Sequence, residues 1–468
     1  MGTTGYATFT HHLRLLASDV GRGAWRGIEQ DVQLALNGQA AQQLRALVPL
    51  QVRREEGAFF TGGKVRDAFT SLVTDAGAEA ATGFWDPSCG AGDLLLAVTQ
   101  HLPTAQSLPV TLARWGRLLR GCDLQEQFVE AARLRLFLAA ADRHHREGRP
   151  EKFMPGVGAN AFTRVKVADG LAALDAARGF KGHLLLNPPY GSVQVDASHD
   201  WSSGAVSQAA LFVLAGARAL SVGQQLHAVL PDVLRSGTRY EAWRTRVEQY
   251  LNVGKISVYG QFDQYTDVDV FMLSGARTRK SSTASPKRLW WDEPDTECRL
   301  DDYFEVRVGP VVDNRDAHKG PEVPFLTARD LISIDSGYKL SRTRRYPGRL
   351  VNPPFVAVRR TSRPGPGTGG SARAAGVLIT GSEPIAVDNH LIIIKPRSQE
   401  RQDCIELQKF LSSDVVSQWL DQRIRCRHLT VGVVRALPWG VHSTTHENAA
   451  EPVSLPRQRS TESEPSLD

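Results

Sequence analysis

A doubly wound α/β domain joined to a separate C-terminal α+β domain is the architecture expected of this 468-residue chain. Between residues 80 and 275, short apolar runs that suit buried strands alternate with helical patterns, as in a parallel sheet covered on both faces. At 277–287 the composition turns to Arg-Thr-Arg-Lys-Ser-Ser-Thr-Ala-Ser-Pro-Lys, a solvated linker. Beyond it strand-like runs recur at Tyr303–Val308, Phe355–Arg359, Val377–Thr380 and His390–Ile394, with a helical stretch over Ile405–Gln422. The expected organisation is a helical N-terminal segment (1–50), an α/β domain (51–280), a second domain (281–440) and a disordered Pro/Ser/Glu-rich tail (441–468).

Composition narrows the functional classes. Apolar residues at 41% and charged residues at 23% are ordinary for a soluble globular protein. The formal charge of +6 permits a polyanionic partner without demanding one. Five scattered cysteines with no Cys-x-x-Cys pair argue against a disulfide framework and a structural zinc, and fit a reducing cytoplasm. No signal sequence and no apolar run of about 18 residues is present, so no membrane association is expected.

Along the chain, Leu13, Leu16 and Val20, then Val32, Leu34, Leu36, Leu44 and Leu47, predict two or three amphipathic helices with a break at Gly21-Arg22-Gly23. The segment Ala58-Phe59-Phe60-Thr61-Gly62-Gly63 precedes a further helix from Lys64, where Thr61 is either a plain cap or a guide for free helix N–H groups towards an anion. Phe84-Trp85-Asp86 closes a strand, and Pro87-Ser88-Cys89-Gly90-Ala91-Gly92 leads into an apolar helix. Gly90 and Gly92 there allow close approach of backbone to a nucleotide-like ligand. Asp123 ends the next strand about thirty residues on, where a carboxylate can accept both hydroxyls of a ribose. Asp169 ends the third. Each acid alone is more often a cap or turn residue; the three strand ends together point to one ligand site.

The chemistry centres on His183-Leu184-Leu185-Leu186-Asn187-Pro188-Pro189-Tyr190. A buried strand stops at two prolines, and open α/β sheets put their ligands at such carboxyl ends. Asn187 Oδ1 and the Pro188 carbonyl can accept the two N–H bonds of a planar amino group, while Tyr190 stacks on its ring. The Gly/Ser/Asp-rich stretch 191–204 is expected to form a mobile loop over this turn. A helix at Gln208–Leu220, a strand at Leu226–Pro231 and a strand pair at Lys255–Tyr259 and Val268–Leu273 complete the domain, with Gln261, Phe262 and Tyr265 in the loop between the paired strands.

Residues 338–375 hold Lys339, Arg342, Arg344, Arg345, Arg349, Arg359, Arg360, Arg363 and Arg373 with no Asp or Glu. A solvated surface is the usual explanation of a charge run, but a guanidinium binds phosphate and guanine edges bidentately, so Arg344, Arg345, Arg359 and Arg360 are expected to contact nucleic acid, with Pro364–Gly370 as an exposed loop among them.

Taken together, Asp86-Pro87-Ser88-Cys89-Gly90-Ala91-Gly92 and Asn187-Pro188-Pro189-Tyr190 resemble the cofactor loop and catalytic turn of S-adenosylmethionine-dependent adenine-N6 DNA methyltransferases. The motif order is similar to the gamma arrangement of that family. The resemblance covers roughly residues 55–275 and implies a Rossmann-like methyltransferase sheet, S-adenosylmethionine as cofactor and double-stranded DNA as partner. It also implies that the C-terminal domain recognises the target and that restriction or specificity subunits can take part in a restriction-modification or phage-defence system. By it Thr61 would lie beside the methionine moiety, Asp123 would hold the ribose and Asp169 the adenine amino group. Phe262, or Tyr265 close by, would face Tyr190 across the flipped base. Thr61-Gly62 departs from the family's usual Thr-Pro. Alternatives are RNA N-methylation, glutamine-N5 methylation of a protein, and a non-catalytic specificity subunit. No cysteine follows a proline, which argues against cytosine-C5 chemistry, and no Asp…Glu-x-Lys nuclease cluster is evident. A second match, Asn352-Pro353-Pro354-Phe355, lacks a glycine-rich turn of its own and reads as the lead-in to a strand.

Overall fold

The computed structural model describes residues 3–55, 61–77, 82–149, 160–196, 200–202, 204–263, 266–279, 290–291, 298–335, 339–361, 372–424 and 429–440. Two compact units result. The first contains Met1–Glu293 with Arg360–Arg373 and Ser417–Val433; the second contains Pro294–Arg359, Ala374–Val416 and the chain from Val434 on. The chain thus changes unit five times, where the composition break at 277–287 suggested one crossing. Residues 280–289, Pro364–Gly370 and the tail after 440 lie outside the described residues.

The first unit is built on a seven-stranded sheet. Its strands are β1 (Phe84–Asp86), β2 (Leu119–Asp123), β3 (Val165–Val167), β4 (His183–Leu186), β7 (Gln225–Pro231), β8 (Leu251–Asp263) and β9 (Thr266–Arg277), in the order β3-β2-β1-β4-β7-β9-β8. All neighbours are parallel except β9, which runs antiparallel to both β7 and β8. Side chains alternate across the sheet as the pleat requires. Phe84 and Leu185 enter one apolar cluster, while Trp85, Leu184 and Leu186 enter the other. This explains the uninterrupted Leu184-Leu185-Leu186 run: β4 is central and both its faces are covered.

The first of those clusters also takes in the N-terminal helices α1 (Ala7–Gly21), α2 (Glu29–Leu36) and α3 (Gln39–Leu47). α1 and α2 pack on α8 (Glu126–Arg146), the long helix after β2, and α3 packs on α2. The break falls at Arg22-Gly23 as expected, where Gly23 adopts φ +78°. A buried guanidinium fastens these helices to the sheet domain. Arg135 donates to the Ala35 carbonyl (2.8 Å), to the Ala91 carbonyl (2.6 Å) and to Asp93 (2.8 Å). Removing one partner of a buried ion pair leaves the other charge uncompensated, so Arg135→Ala is expected to destabilise the unit by about 3–5 kcal/mol. Chemical denaturation followed by far-UV circular dichroism measures it.

Two local expectations need correction. The stretch 191–204 is not simply a loop: β5 (Ser192–Val195) and β6 (Gly204–Ser207) pair antiparallel as a ribbon. Gln261 and Phe262 lie on β8 rather than in a connection, because the β8–β9 ribbon runs well beyond the apolar cores that marked it in sequence. Tyr265 lies outside the described residues.

The second unit has a four-stranded antiparallel sheet of β10 (Phe304–Val308), β16 (Leu391–Pro396), β13 (Phe355–Arg359) and β14 (Gly376–Ile379). A small sheet of β12 (Thr343–Arg345), β11 (Glu322–Leu326) and β15 (Ala386–Val387) accompanies it. The helical stretch expected over 405–422 is two helices, Arg401–Leu411 and Asp414–Arg423. Asn352-Pro353-Pro354 leads directly into β13; Asn352 is exposed and its carbonyl accepts from Lys395 Nζ at 3.0 Å.

Candidate active site

Parallel pairing brings the carboxyl ends of β1, β2, β3 and β4 to one edge of the sheet. At that edge a cavity of about 350 Å³ is lined by Pro87, Ser88, Asp123, Asp169, Asn187 and Pro189, with Leu124, Phe128, Leu171 and Phe212 as its apolar wall. The volume is within the range of small-molecule sites.

Asp123 closes β2 and anchors the glycine turn. Its carboxylate accepts from the Gly90 N–H at 3.0 Å and from the Gln125 N–H at 2.9 Å. Gly90 (φ +50°) and Gly92 (φ +86°) both take left-handed conformations. Gly92 has a second reason to be glycine: an added Cβ would lie 3.0 Å from Cβ of Ala132 on α8. Its place is therefore a close helix contact, and Gly90 is the one joined to Asp123. Asp169 caps the helix Gly170–Ala176, with Oδ1 accepting from Leu171 (2.9 Å) and Ala172 (3.1 Å). The cap involves Oδ1 alone, and the exposed residue also lines the cavity. Gly170, which sequence reading passed over, has no room for a side chain, since a Cβ would lie 1.6 Å from the Pro87 carbonyl. That close approach fixes the β3 turn against the β1 turn.

Asp86 lies beneath this edge, 1% exposed, and accepts from the Ser88 N–H at 3.0 Å. Burial pushes its carboxyl up to about 8, against the lowering effect of that N–H, and the nearby charges of Asp123 and Asp93 push the same way as burial.

The Asn187–Tyr190 turn gathers several of the expected residues. Asn187 Nδ2 donates to Thr61 Oγ1 at 2.9 Å, and the Tyr190 hydroxyl donates to Asn187 Oδ1 at 2.9 Å. Tyr190 also reaches the Val229 carbonyl at 3.4 Å, and burial raises its phenol above the ordinary value. Phe262 is 3% exposed and meets Tyr190 edge to face, with centroids 6.0 Å apart at 80°. Pro188 is buried and Pro189 faces the cavity. Thr61 precedes helix α5 (Gly63–Asp75), but the capping position is Gly62 and no side chain caps it. The simple capping explanation for Thr61 is therefore set aside. The cavity residues Gln125, Val193, Gln208 and Leu211 went unnoticed in sequence; only the position of Gln125 just after a strand-end acid could have signalled one of them.

The arginines divide. Arg344 is a correction: it is 3% exposed, pairs with Asp313, donates to the Asp316 carbonyl at 2.6 Å and lies over the Phe325 ring, so it holds its unit together. Arg373 is likewise buried and paired with Asp421, and Arg342 pairs with Asp330. Arg345 is exposed beside it on β12, and Arg359 and Arg360 are half-buried. Arg363 lies outside the described residues. Among the described residues no group of three or more His, Cys, Asp or Glu is placed to hold a metal ion, and no helix is long and apolar enough to cross a membrane.

No family model matches the chain, and no curated protein does. Solved structures match in fold. The type IIL restriction-modification enzyme MmeI in complex with DNA superposes with a TM-score of 0.53 at 11% identity, over 84% of this chain and 70% of that one. A class I S-adenosylmethionine-dependent methyltransferase from Listeria monocytogenes matches at 0.35 and 14% identity, over 59% of this chain and 84% of its own. A modification subunit of a type I restriction enzyme from Vibrio vulnificus matches at 0.36 and 18% identity, over 54% and 50%. The fold is that of a Rossmann-like methyltransferase sheet carrying an additional C-terminal unit.

Proposed function

We propose that the chain is an S-adenosylmethionine-dependent DNA methyltransferase acting on the N6 amino group of adenine, as the modification activity of a restriction-modification or phage-defence system. The observation that carries this is the Asn187 carboxamide, set at the carboxyl end of β4 on the rim of a cavity that Asp123 and Asp169 also line. The cavity suits the cofactor by its lining: it combines strand-end carboxylates with an apolar wall, and no cationic partner for the buried Asp86 beneath it is present among the described residues. Asp123 would hold the ribose, Asp169 the adenine amino group, and the Gly90 turn the adjoining backbone contacts. When bound, the cofactor supplies an electrophilic sulfonium methyl group.

The chain's own residues prepare the acceptor. Asn187 Oδ1 and the Pro188 carbonyl accept the two N–H bonds of the exocyclic amine and draw its lone pair out of conjugation with the ring. The nitrogen, with its lone pair freed, would be held facing the cofactor's methyl group, and the amine proton would pass to solvent. Positioning supplies most of the rate, and no covalent enzyme intermediate is needed. The target base must leave its duplex to reach this turn. Tyr190 would stack on one face of it and Phe262 on the other, which requires the Tyr190 hydroxyl to release Asn187 Oδ1 first. The DNA in the MmeI structure and the exposed Arg345 support a duplex partner for the second unit.

Incubation with methyl-labelled cofactor and, separately, duplex DNA, RNA and protein tests the reading. Label is expected in N6-methyladenine from DNA; label confined to RNA or protein would replace the substrate class, and binding of DNA without transfer would make the chain a specificity subunit.

A further inference from the structure

We propose that Thr61 is a positioning residue for the reaction: its hydroxyl fixes the rotamer of the Asn187 carboxamide so that Oδ1, and not Nδ2, meets the incoming amino group. The inference rests on the methyl-transfer reading above. The two ends of a carboxamide are almost the same size, so packing alone hardly distinguishes them, and hydrogen bonds decide which way the group points. Among the described residues, Thr61 and Tyr190 make such bonds to the Asn187 carboxamide. The Tyr190 hydroxyl donates to Oδ1 and Thr61 Oγ1 accepts from Nδ2, each at 2.9 Å.

These two bonds have different fates. Oδ1 must exchange the Tyr190 hydroxyl for an amino N–H of the substrate, and Tyr190 must turn its ring to the base. The Thr61 bond lies on the other end of the amide and persists through that exchange. A carboxamide turned by 180° would present N–H groups to an N–H group, and the nucleophile would be repelled rather than gripped. Thr61 is suited to this task because it is 3% exposed and its helix takes Gly62, not Thr61, as its cap. The bond also joins segments 126 residues apart in sequence, tying the lead-in to α5 to the catalytic turn.

Thr61→Val keeps the shape and removes the acceptor; Thr61→Ser keeps the acceptor and removes the methyl group. Steady-state rates on a mixed-sequence duplex DNA pool, with cofactor affinity measured by calorimetry on the full chain, separate the possibilities. Thr61→Val is expected to lower kcat on the order of 10–10²-fold while cofactor Kd changes less than about twofold, and Thr61→Ser to restore kcat to within a few-fold of the original. Unchanged kcat in Thr61→Val overturns the proposal, and so does a loss confined to cofactor affinity, which would make Thr61 a cofactor contact instead. If the unaltered protein transfers no methyl group to any polymer, the function reading fails independently. Hydrogen exchange at the Asn187 carboxamide, read by NMR on protein labelled at asparagine, then still tests the clamp: faster exchange in Thr61→Val supports it, and equal exchange refutes it.

Discussion

Asn187→Ala is expected to abolish measurable methyl transfer, whereas Asn352→Ala leaves it near the original rate. Both asparagines precede Pro-Pro and an aromatic residue, so the local sequence does not separate them. Their surroundings do. Asn187 ends a central strand buried on both faces, lines the 350 Å³ cavity and bonds Thr61 and Tyr190 through its side chain. Asn352 is exposed at the start of β13, and the bond recorded for it uses its backbone carbonyl, which alanine retains. Loss of a hydrogen-bonding group aimed at developing charge lowers kcat by about 10²–10³-fold, and in the proposed mechanism Asn187 also orients the amine, so the combined loss should exceed that range. Initial rates with labelled cofactor on duplex DNA measure both variants. Residual transfer by Asn187→Ala above a few per cent, or inactivity of Asn352→Ala, would move the catalytic turn elsewhere.

The second large effect is expected at Asp86. Its folded-state value near 8 lies above the ordinary 3.8, so the folded chain holds a proton there that the unfolded chain releases. The stability this group contributes is full below about pH 4, is lost as pH rises towards 8, and changes no further above that. Asp86→Asn can keep the bond from the Ser88 N–H while removing the charge. It should therefore flatten the pH dependence and, at pH 8–9, raise the melting temperature by roughly 5–10 °C. In the proposed site the cofactor's positive charge would lie above the loop and draw Asp86 into its ionised form, so the same substitution should weaken cofactor binding. Affinity of the unaltered protein should accordingly strengthen up to about pH 8, and that of Asp86→Asn should not. Melting curves and calorimetry across pH 5–9 give both quantities; normal binding by the variant would remove Asp86 from the cofactor site.

Much of the sheet was legible because its strands are short apolar runs halted by an acid or by proline. Asp86, Asp123 and the Asn187 turn each fall where that punctuation puts them. The β8–β9 ribbon was read too short for the opposite reason. Its outer portions alternate with exposed polar residues, so Phe262 looked like part of a loop. The arginine-rich segment misled in another way. It contains no acid of its own, yet Arg342, Arg344 and Arg373 find partners 12, 31 and 48 residues away. Charge compensation by folding leaves no local trace in a window of sequence. The Thr61–Asn187 bond is equally non-local, and a motif that stops at Asn-Pro-Pro-Tyr cannot contain it.

The two returning segments, Arg360–Arg373 and Ser417–Val433, make the first unit discontinuous. A truncation after Glu293 would therefore strip pieces from the unit that bears the Asn187 turn, and could inactivate it without touching that turn. The same interleaving bears on how such a chain can acquire a new target. A crossover at the first boundary, after Glu293, would graft foreign stretches into the body of the first one. Exchanges confined to the two inner blocks Pro294–Arg359 and Ala374–Val416 would instead keep both returning segments in place.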